Sequence, residues 1–300
     1  MSDQRIGWLG TGRMGTAMAT RLLHAGHGDM TVWNRTASKT EQLVSAGADQ
    51  VEHIADLATC DIVFTTVMSS PDLLAVTLDV GGLLAGDTTP KILVDCSTVS
   101  QDASEEVRKA AADRGTAMLS APISGNPTMV AEGKAALAVS GPQDAFDDAR
   151  ALLEAIAATV VHCGTGEEAR LVKLCHNLLG GMLTEALAET LVLSEKGGVS
   201  AATFLDFIDG SVMASTFVAE KGRAIRTRDY TPTFTLENQR KDFDLGMAAA
   251  RALEVPMPLA ASTYQLIQTG IGRGFRNDDY VTLYELAAQS AGIDRRGEDA

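Results

Sequence analysis

Lys173 and Asn177 are the residues of this chain whose types and spacing best suit chemistry. They stand four positions apart in a stretch with helical apolar periodicity, so both face one side of a helix. Their neighbours Leu171, Leu174, Leu178 and Leu179 are apolar. A lysine partly removed from water has its pKa drawn down, which suits a general acid or base. An asparagine one turn on would hold the amine or a substrate hydroxyl. The spacing fits equally well a lysine whose head reaches solvent beside an asparagine on a wet stripe. A second candidate is the run S-A-P-I-S-G-N, Ser120 to Asn126. Pro122 and Gly125 prevent a regular helix there, and Ser124 with adjacent backbone N–H groups could cradle a carboxylate. The alternative is an ordinary loop after a strand. The third is Lys241-Asp242, in a predicted helix beside Phe243, Leu245 and Met247. Lys241 could reach a substrate carboxylate or a cofactor phosphate, or it could form a charged pair on a solvated face. His24, His27, His53, His162 and His176 show no ligand spacing, so no metal is expected. His176, one step from Asn177, is expected to face elsewhere in a structural role.

A hydride carrier is implied by residues 5–36, R-I-G-W-L-G-T-G-R-M-G-T-A-M-A-T-R-L-L-H-A-G-H-G-D-M-T-V-W-N-R-T. The turn Gly10, Gly12, Arg13, Met14, Gly15 follows the apolar Ile6, Trp8 and Leu9. Met14, Met18, Leu22 and Leu23 follow near helical spacing. Strand, glycine turn, helix and second strand make the frame that holds a dinucleotide. Gly10 permits the tight turn, Gly12 admits the pyrophosphate, and Gly15 lets the helix pack on the strand. The helix N-terminus faces the anion. An acid after the second strand would bind a ribose 2′-hydroxyl; Asn34, Arg35 and Thr36 stand there instead, and a cation suits a 2′-phosphate. The cofactor expected is NADP, with NAD possible.

The elements that must position these residues follow from periodicity. Ser38-Lys39-Thr40-Glu41 reads as a capping box opening a helix that ends near Gly47. Residues 61–67 and 91–96 are near-continuous apolar runs, as buried parallel strands are. Helices are predicted near 71–78, 101–114 and 143–157, and strands at 116–120, 135–139 and 159–162. This alternation predicts an α/β fold, a Rossmann-type doubly wound parallel sheet, open and mostly parallel, covered on both faces. After Gly166 the rhythm turns helical. Residues 167–196 lack proline and predict one helix of roughly 45 Å. Helices follow near 200–208, 236–252, 258–269 and 279–291. The expected organisation is a dinucleotide-binding domain over 1–165 and an all-helical substrate and dimerisation domain over 166–300, joined by the long helix. Its apolar residues on more than one side suggest a homodimer or homotetramer. The tail from Asp294 to Ala300 is polar and expected to fray.

Composition bounds the class. The 300 residues suit two domains, and 45% apolar content supports a large core. A net charge of −14 argues against nucleic acid or an anionic membrane as partner and leaves a small-molecule substrate. No apolar run reaches the length of a membrane span, and the N-terminus shows no signal-peptide pattern; a cytoplasmic protein is expected. Cys60, Cys96, Cys163 and Cys175 have no ligand spacing; Cys60, Cys96 and Cys163 lie next to predicted strands, so reduced core thiols are expected rather than a disulfide framework.

In order, these segments resemble the β-hydroxyacid dehydrogenase family of the 6-phosphogluconate dehydrogenase superfamily, whose best-known member type is 3-hydroxyisobutyrate dehydrogenase. The resemblance covers nearly the whole chain. It rests on G-W-L-G-T-G-R-M-G, on Ala121 to Gly125, on G-x-G-x-x-x-x-x-x-K-x-x-x-N from Gly164 to Asn177, and on Lys241-Asp242. It implies that Lys173 is the catalytic acid/base and that Asn177 orients it and the substrate. Ser124 and Gly125, with Asn126 beside them, would grip the substrate carboxylate. Lys241 would complete the pocket with Asp242 in support. Ser97 and Thr98 would approach the nicotinamide, and Met68 and Ser69 would line the cofactor cleft. Members with N-R-T after the second strand favour NADP. Asn126 replaces a frequent second glycine and Ser120 a frequent acid, which alters the pocket wall and leaves the substrate open. The activity implied is hydride transfer between NADP and a small β-hydroxy acid or its semialdehyde. Related imine reductases usually lack the catalytic lysine, so Lys173 favours alcohol or aldehyde chemistry. An imine reductase and a non-catalytic NADPH-binding association module remain the alternatives.

Overall fold

The computed structural model describes residues 4–293, so the expected frayed tail, Asp294 to Ala300, lies outside the described residues. The chain divides into two compact units, Met1–Lys173 and Leu174–Ala300. The first unit opens with β1 (Ile6–Leu9), α1 (Arg13–His24) and β2 (Met30–Trp33). Then come α2 (Glu41–Ser45), β3 (Asp49–Gln50), β4 (Ile62–Thr65), α3 (Ser70–Leu78), β5 (Ile92–Asp95) and α4 (Gln101–Asp113). It continues with β6 (Ala117–Ser120), β7 (Ile123–Ser124), α5 (Pro127–Ala131), β8 (Ala136–Ser140), α6 (Gln143–Ile156) and β9 (Thr159–Gly164).

Strand order is β3-β2-β1-β4-β5-β6-β8-β7, with β9 paired to β8. The run from β3 to β6 is parallel throughout, whereas β8 pairs antiparallel with β6 and β7. The doubly wound, mostly parallel sheet is therefore present, with a short antiparallel region at β6, β8 and β7. Side-chain alternation explains why both faces need helices. Ile6, Trp8, Ile62, Phe64, Ile92 and Val94 pack on one side with Met18 and Leu22 of α1 and Leu152 of α6. Leu9, Val63, Leu93 and Met118 pack on the other with Leu73 of α3 and Val107 of α4.

Two local expectations are corrected. Ser38 does not cap a helix: Ala37–Thr40 is a 3-10 turn, and α2 begins only at Glu41 without a side-chain cap. The Thr40 hydroxyl instead bonds the Ala37 carbonyl at 2.7 Å and Gln50 Oε1 at 2.6 Å, which ties the turn to β3. The run Ser120–Asn126 is not plain loop, since Ser120 ends β6 and Ile123–Ser124 form β7, and α5 follows at Pro127–Ala131. Asn126 caps α5 by accepting from the Met129 N–H at 2.9 Å, with Pro127 in the first turn.

The long helix forms as expected: α7 (Glu168–Lys196) is one helix of 29 residues. It begins in the first unit, and its remainder belongs to the second, which adds α8 (Ala201–Asp209), α9 (Thr216–Thr227), α10 (Leu236–Ala252), α11 (Pro258–Gly272) and α12 (Leu283–Ser290). Of these, α9 had no counterpart in the sequence reading. Ser200, Ser215 and Thr235 cap α8, α9 and α10. Leu187, Leu191 and Val192 of α7 pack with Leu205, Ile225 and Tyr284, and Leu178 packs with Phe243 and Ile267. Leu179, Leu183 and Leu193 stay exposed along α7. All four cysteines are free, with Cys60 and Cys96 buried, and burial pushes both of those thiols up; Cys163 is only half-buried, which corrects its expected place in the core. Among the described residues no helix is long and apolar enough to cross a membrane, and no cluster of His, Cys, Asp and Glu could hold a metal.

Candidate active site

The first unit contains a cradle for an anion at the start of α1. Gly10 has φ +95°, and a Cβ there would collide with the Thr66 carbonyl oxygen. A Cβ on Gly15 would strike the Gly10 carbonyl oxygen, so helix and turn approach as only glycine allows. At Gly12 a Cβ would meet nothing within 4 Å, and this is the open side. The N-terminus of α1 has no side-chain cap and no acid in its first turn. Beside it, the buried Thr11 hydroxyl has no hydrogen-bond partner among the described residues. Uncapped N–H groups, the positive end of the helix dipole and an orphaned hydroxyl fit a pyrophosphate. Arg13 and Met14 occupy the first turn of α1.

Asn34 couples this turn to the end of β2. Its Oδ1 accepts from the Thr11 N–H at 3.0 Å and its Nδ2 donates to the Thr36 carbonyl at 2.9 Å. Arg35 follows with its side chain 86% exposed, 3.5 Å from Asp72, and so it can turn toward a phosphate at little cost. A cavity along α1 is lined by Thr11, Gly12, Arg13, Lys39 and Gln42. Thr11 and Lys39 are positions that the sequence reading missed, although Lys39 stands four residues past Arg35.

The remaining cofactor candidates divide by how their side chains are used. Met68 is 66% exposed just past β4. The Ser69 hydroxyl caps α3 and donates to Asp72 at 2.6 Å. The Ser97 hydroxyl is buried, bonding Asp95 at 2.7 Å and the Val67 N–H at 2.9 Å, and serves the fold; Thr98 is half-buried. Ser124 ends β7, and Gly125 holds φ +135°, a conformation that favours glycine. Lys173 is half-buried on α7 and closes the first unit.

In the second unit, Asn177 and Asp242 meet although 65 residues separate them. Asn177 is 8% exposed and Asp242 1%. The asparagine Nδ2 donates to one oxygen of Asp242, and Lys241 Nζ lies 3.2 Å from the other. Gln239, also buried, donates to the Asn177 carbonyl at 2.9 Å. The expectation for His176 is corrected: its Nδ1 lies 3.0 Å from Asn177 Oδ1. Rotation about χ1 and χ2 lets the exposed His176 swing its ring back to a neighbour that its helical position points away from.

Residues 5–164 match the family described as the NAD binding domain of 6-phosphogluconate dehydrogenase, and residues 166–287 match NAD-binding of NADP-dependent 3-hydroxyisobutyrate dehydrogenase. The chain belongs to the β-hydroxyacid dehydrogenase family. This dehydrogenase-family chain is 30% identical over 281 residues to glyoxylate/succinic semialdehyde reductase 1 of Arabidopsis thaliana, with 93% of this chain and 97% of that protein covered. It is 31% identical over 284 residues to the cytokine-like nuclear factor N-PAC of Homo sapiens, covering 94% of this chain and 51% of N-PAC. The chain thus spans about half the length of that relative. A 3-hydroxyisobutyrate dehydrogenase structure from Mycobacterium tuberculosis superposes with a TM-score of 0.84 at 25% identity, covering 94% of this chain and 98% of that one.

Proposed function

We propose that this chain is an NADP-dependent oxidoreductase that interconverts a small β-hydroxy acid and its semialdehyde, with Lys173 as general acid and base. The observation that carries the proposal is the i, i+4 placement of Lys173 and Asn177 on α7, with Asn177 locked by Asp242. The name of the Arabidopsis reductase, matched over nearly its whole length, supports the semialdehyde class. The exposed Arg35 and the absence of an acid after β2 support NADP over NAD.

When bound, the nicotinamide supplies the hydride acceptor or donor. In oxidation Lys173, as the neutral amine, takes the proton of the substrate hydroxyl; in reduction its ammonium returns a proton to the carbonyl oxygen. Asn177 presents a second amide hydrogen and a second oxygen lone pair to the hydroxyl or the amine, in an orientation held by Asp242. Ser124 and Gly125 hold the substrate carboxylate, with Asn126 fixing the turn through its cap on α5. Lys241 supplies a further cation for a carboxylate or phosphate. We place the functional division at 165/166, ahead of α7, with the helical part serving substrate and assembly. Leu179, Leu183 and Leu193 on α7 support a homodimer or homotetramer, which light scattering tests.

The deciding experiment supplies NADPH or NADH with a panel of semialdehydes, glyoxylate, β-hydroxy acids and cyclic imines. The expected result is semialdehyde reduction with NADPH as the fastest reaction. Faster turnover of imines, or cofactor binding without turnover of any compound, would overturn the proposal.

A further inference from the structure

A buried ionic network at the carboxyl ends of the central strands has no role in the proton and carboxylate chemistry above. Its centre is Arg170, on α7 and 1% exposed, which pairs with Asp95 at the end of β5, 0% exposed. The guanidinium also donates to the Ser97 carbonyl and, at 3.1 Å, to the Ser104 hydroxyl. The second Asp95 oxygen accepts from Thr65 Oγ1 at 2.6 Å and Ser97 Oγ at 2.7 Å. Nearby, Arg108 of α4 holds Glu167, the residue before α7, at 2.6 Å. The start of α7 is therefore bolted at Arg170 to the segment 95–97 and at Glu167 to Arg108 of α4, and Lys173 follows Arg170 at i+3.

A buried ion pair is an expensive way to gain stability, because well-packed apolar side chains of similar volume often do as well. A planar guanidinium with fixed donors instead defines a direction for each partner. We propose that Arg170 is a positioning residue that sets the height and rotation of Lys173 against the segment 96–98; this inference rests on the reading of Lys173 as acid/base and of Ser97–Thr98 as the nicotinamide side.

The test uses the full chain with Arg170→Met combined with Asp95→Leu, which leaves no uncompensated charge, and with Arg170→Lys. Leu153→Ala, in the core at 0% exposure and away from the network, is the control for lost stability. The double variant is expected to bind NADPH within about threefold of the parent and to lose about 100-fold in kcat with little change in KM, the cost of about 1 Å of misplacement. Amide hydrogen exchange over residues 167–173 is expected to quicken about tenfold as the anchor is lost. Leu153→Ala should lower Tm yet keep both kcat and that exchange near parental values. If the double variant does not fold, Arg170→Lys decides, with an expected loss of about tenfold in kcat. Parental kcat and exchange in the Arg170 variants, or an equal kcat loss in Leu153→Ala, overturns the inference. Lys173→Ala separates the layers: activity retained there overturns the acid/base reading, and this inference with it. An inactive Lys173→Ala beside fully active Arg170 variants overturns only the positioning role.

Discussion

Replacing Asp242 with alanine isolates what holds Asn177. Asp242 is 1% exposed; one oxygen takes the Asn177 amide hydrogen and the other lies 3.2 Å from Lys241 Nζ. In Asp242→Ala the Asn177 amide, on a residue 8% exposed, loses its acceptor in a place that water scarcely reaches. An unsatisfied buried donor costs about 1–3 kcal/mol, and the small void left by the carboxylate adds about 1 kcal/mol. The expected loss is thus about 2–4 kcal/mol in the unfolding free energy of the helical unit. Asp242→Asn keeps the shape and an amide oxygen that can accept, so it should lose only about 1 kcal/mol. Urea titration followed by circular dichroism measures both, and the ordering of the two variants is the diagnostic result. Kinetics give an independent reading: with its amide free to rotate, Asn177 should lower kcat about 100-fold while KM changes less. If Asp242→Ala and Asp242→Asn both stay within about 0.5 kcal/mol of the parent, the lock on Asn177 has no energetic weight and the reasoning fails.

Three further outcomes follow from single sites. Gly10→Ala combines a φ of +95° with a collision at the Thr66 carbonyl, so it should lose about 2 kcal/mol or more and NADPH binding with it, measured by melting and fluorescence titration. Arg35→Ala should weaken NADPH about tenfold, equivalent to about 1.4 kcal/mol, and leave NADH nearly unchanged; isothermal titration with both cofactors checks this. Glu185 is buried with one oxygen that has no hydrogen-bond partner among the described residues, and burial with Glu189 nearby pushes its carboxyl up to about 7. The fold accommodates its protonated form, so the linked stability is complete below the ordinary value of 4.5 and lost as pH rises through about 7. Glu185→Gln should therefore raise Tm by about 2–4 °C at pH 8, with the gap closing toward pH 5.

What could be read in advance follows physical range. β1, β4 and β5 were legible because strands buried on both faces have nearly unbroken apolar runs, and α7 because its periodicity continues for eight turns without proline. The start of α2 was misread because a Ser-x-x-Glu pattern is local, whereas the Thr40 hydroxyl is claimed by Gln50 from the next strand. α5 was missed because five residues give no periodicity, and only the Asn126-Pro127 pair hinted at it. At the candidate site, Lys173 and Asn177 share one helix and could be paired by counting. Asp242 stands near Asn177 only through the packing of α10, and Gln239 likewise. Arg170 had no signal at all: an arginine after two glutamates reads as a solvated face, and only the fold shows that its charge is enclosed by Asp95.

The most direct test of the account is turnover by Lys173→Ala on the substrate that the panel identifies, measured beside NADPH affinity and Tm. The account predicts a kcat lowered by about 10²–10⁴-fold, the range lost with a general acid or base, while NADPH binding and Tm stay near parental values. Turnover within about threefold of the parent, with NADPH still bound, would contradict the central claim that this lysine moves the proton.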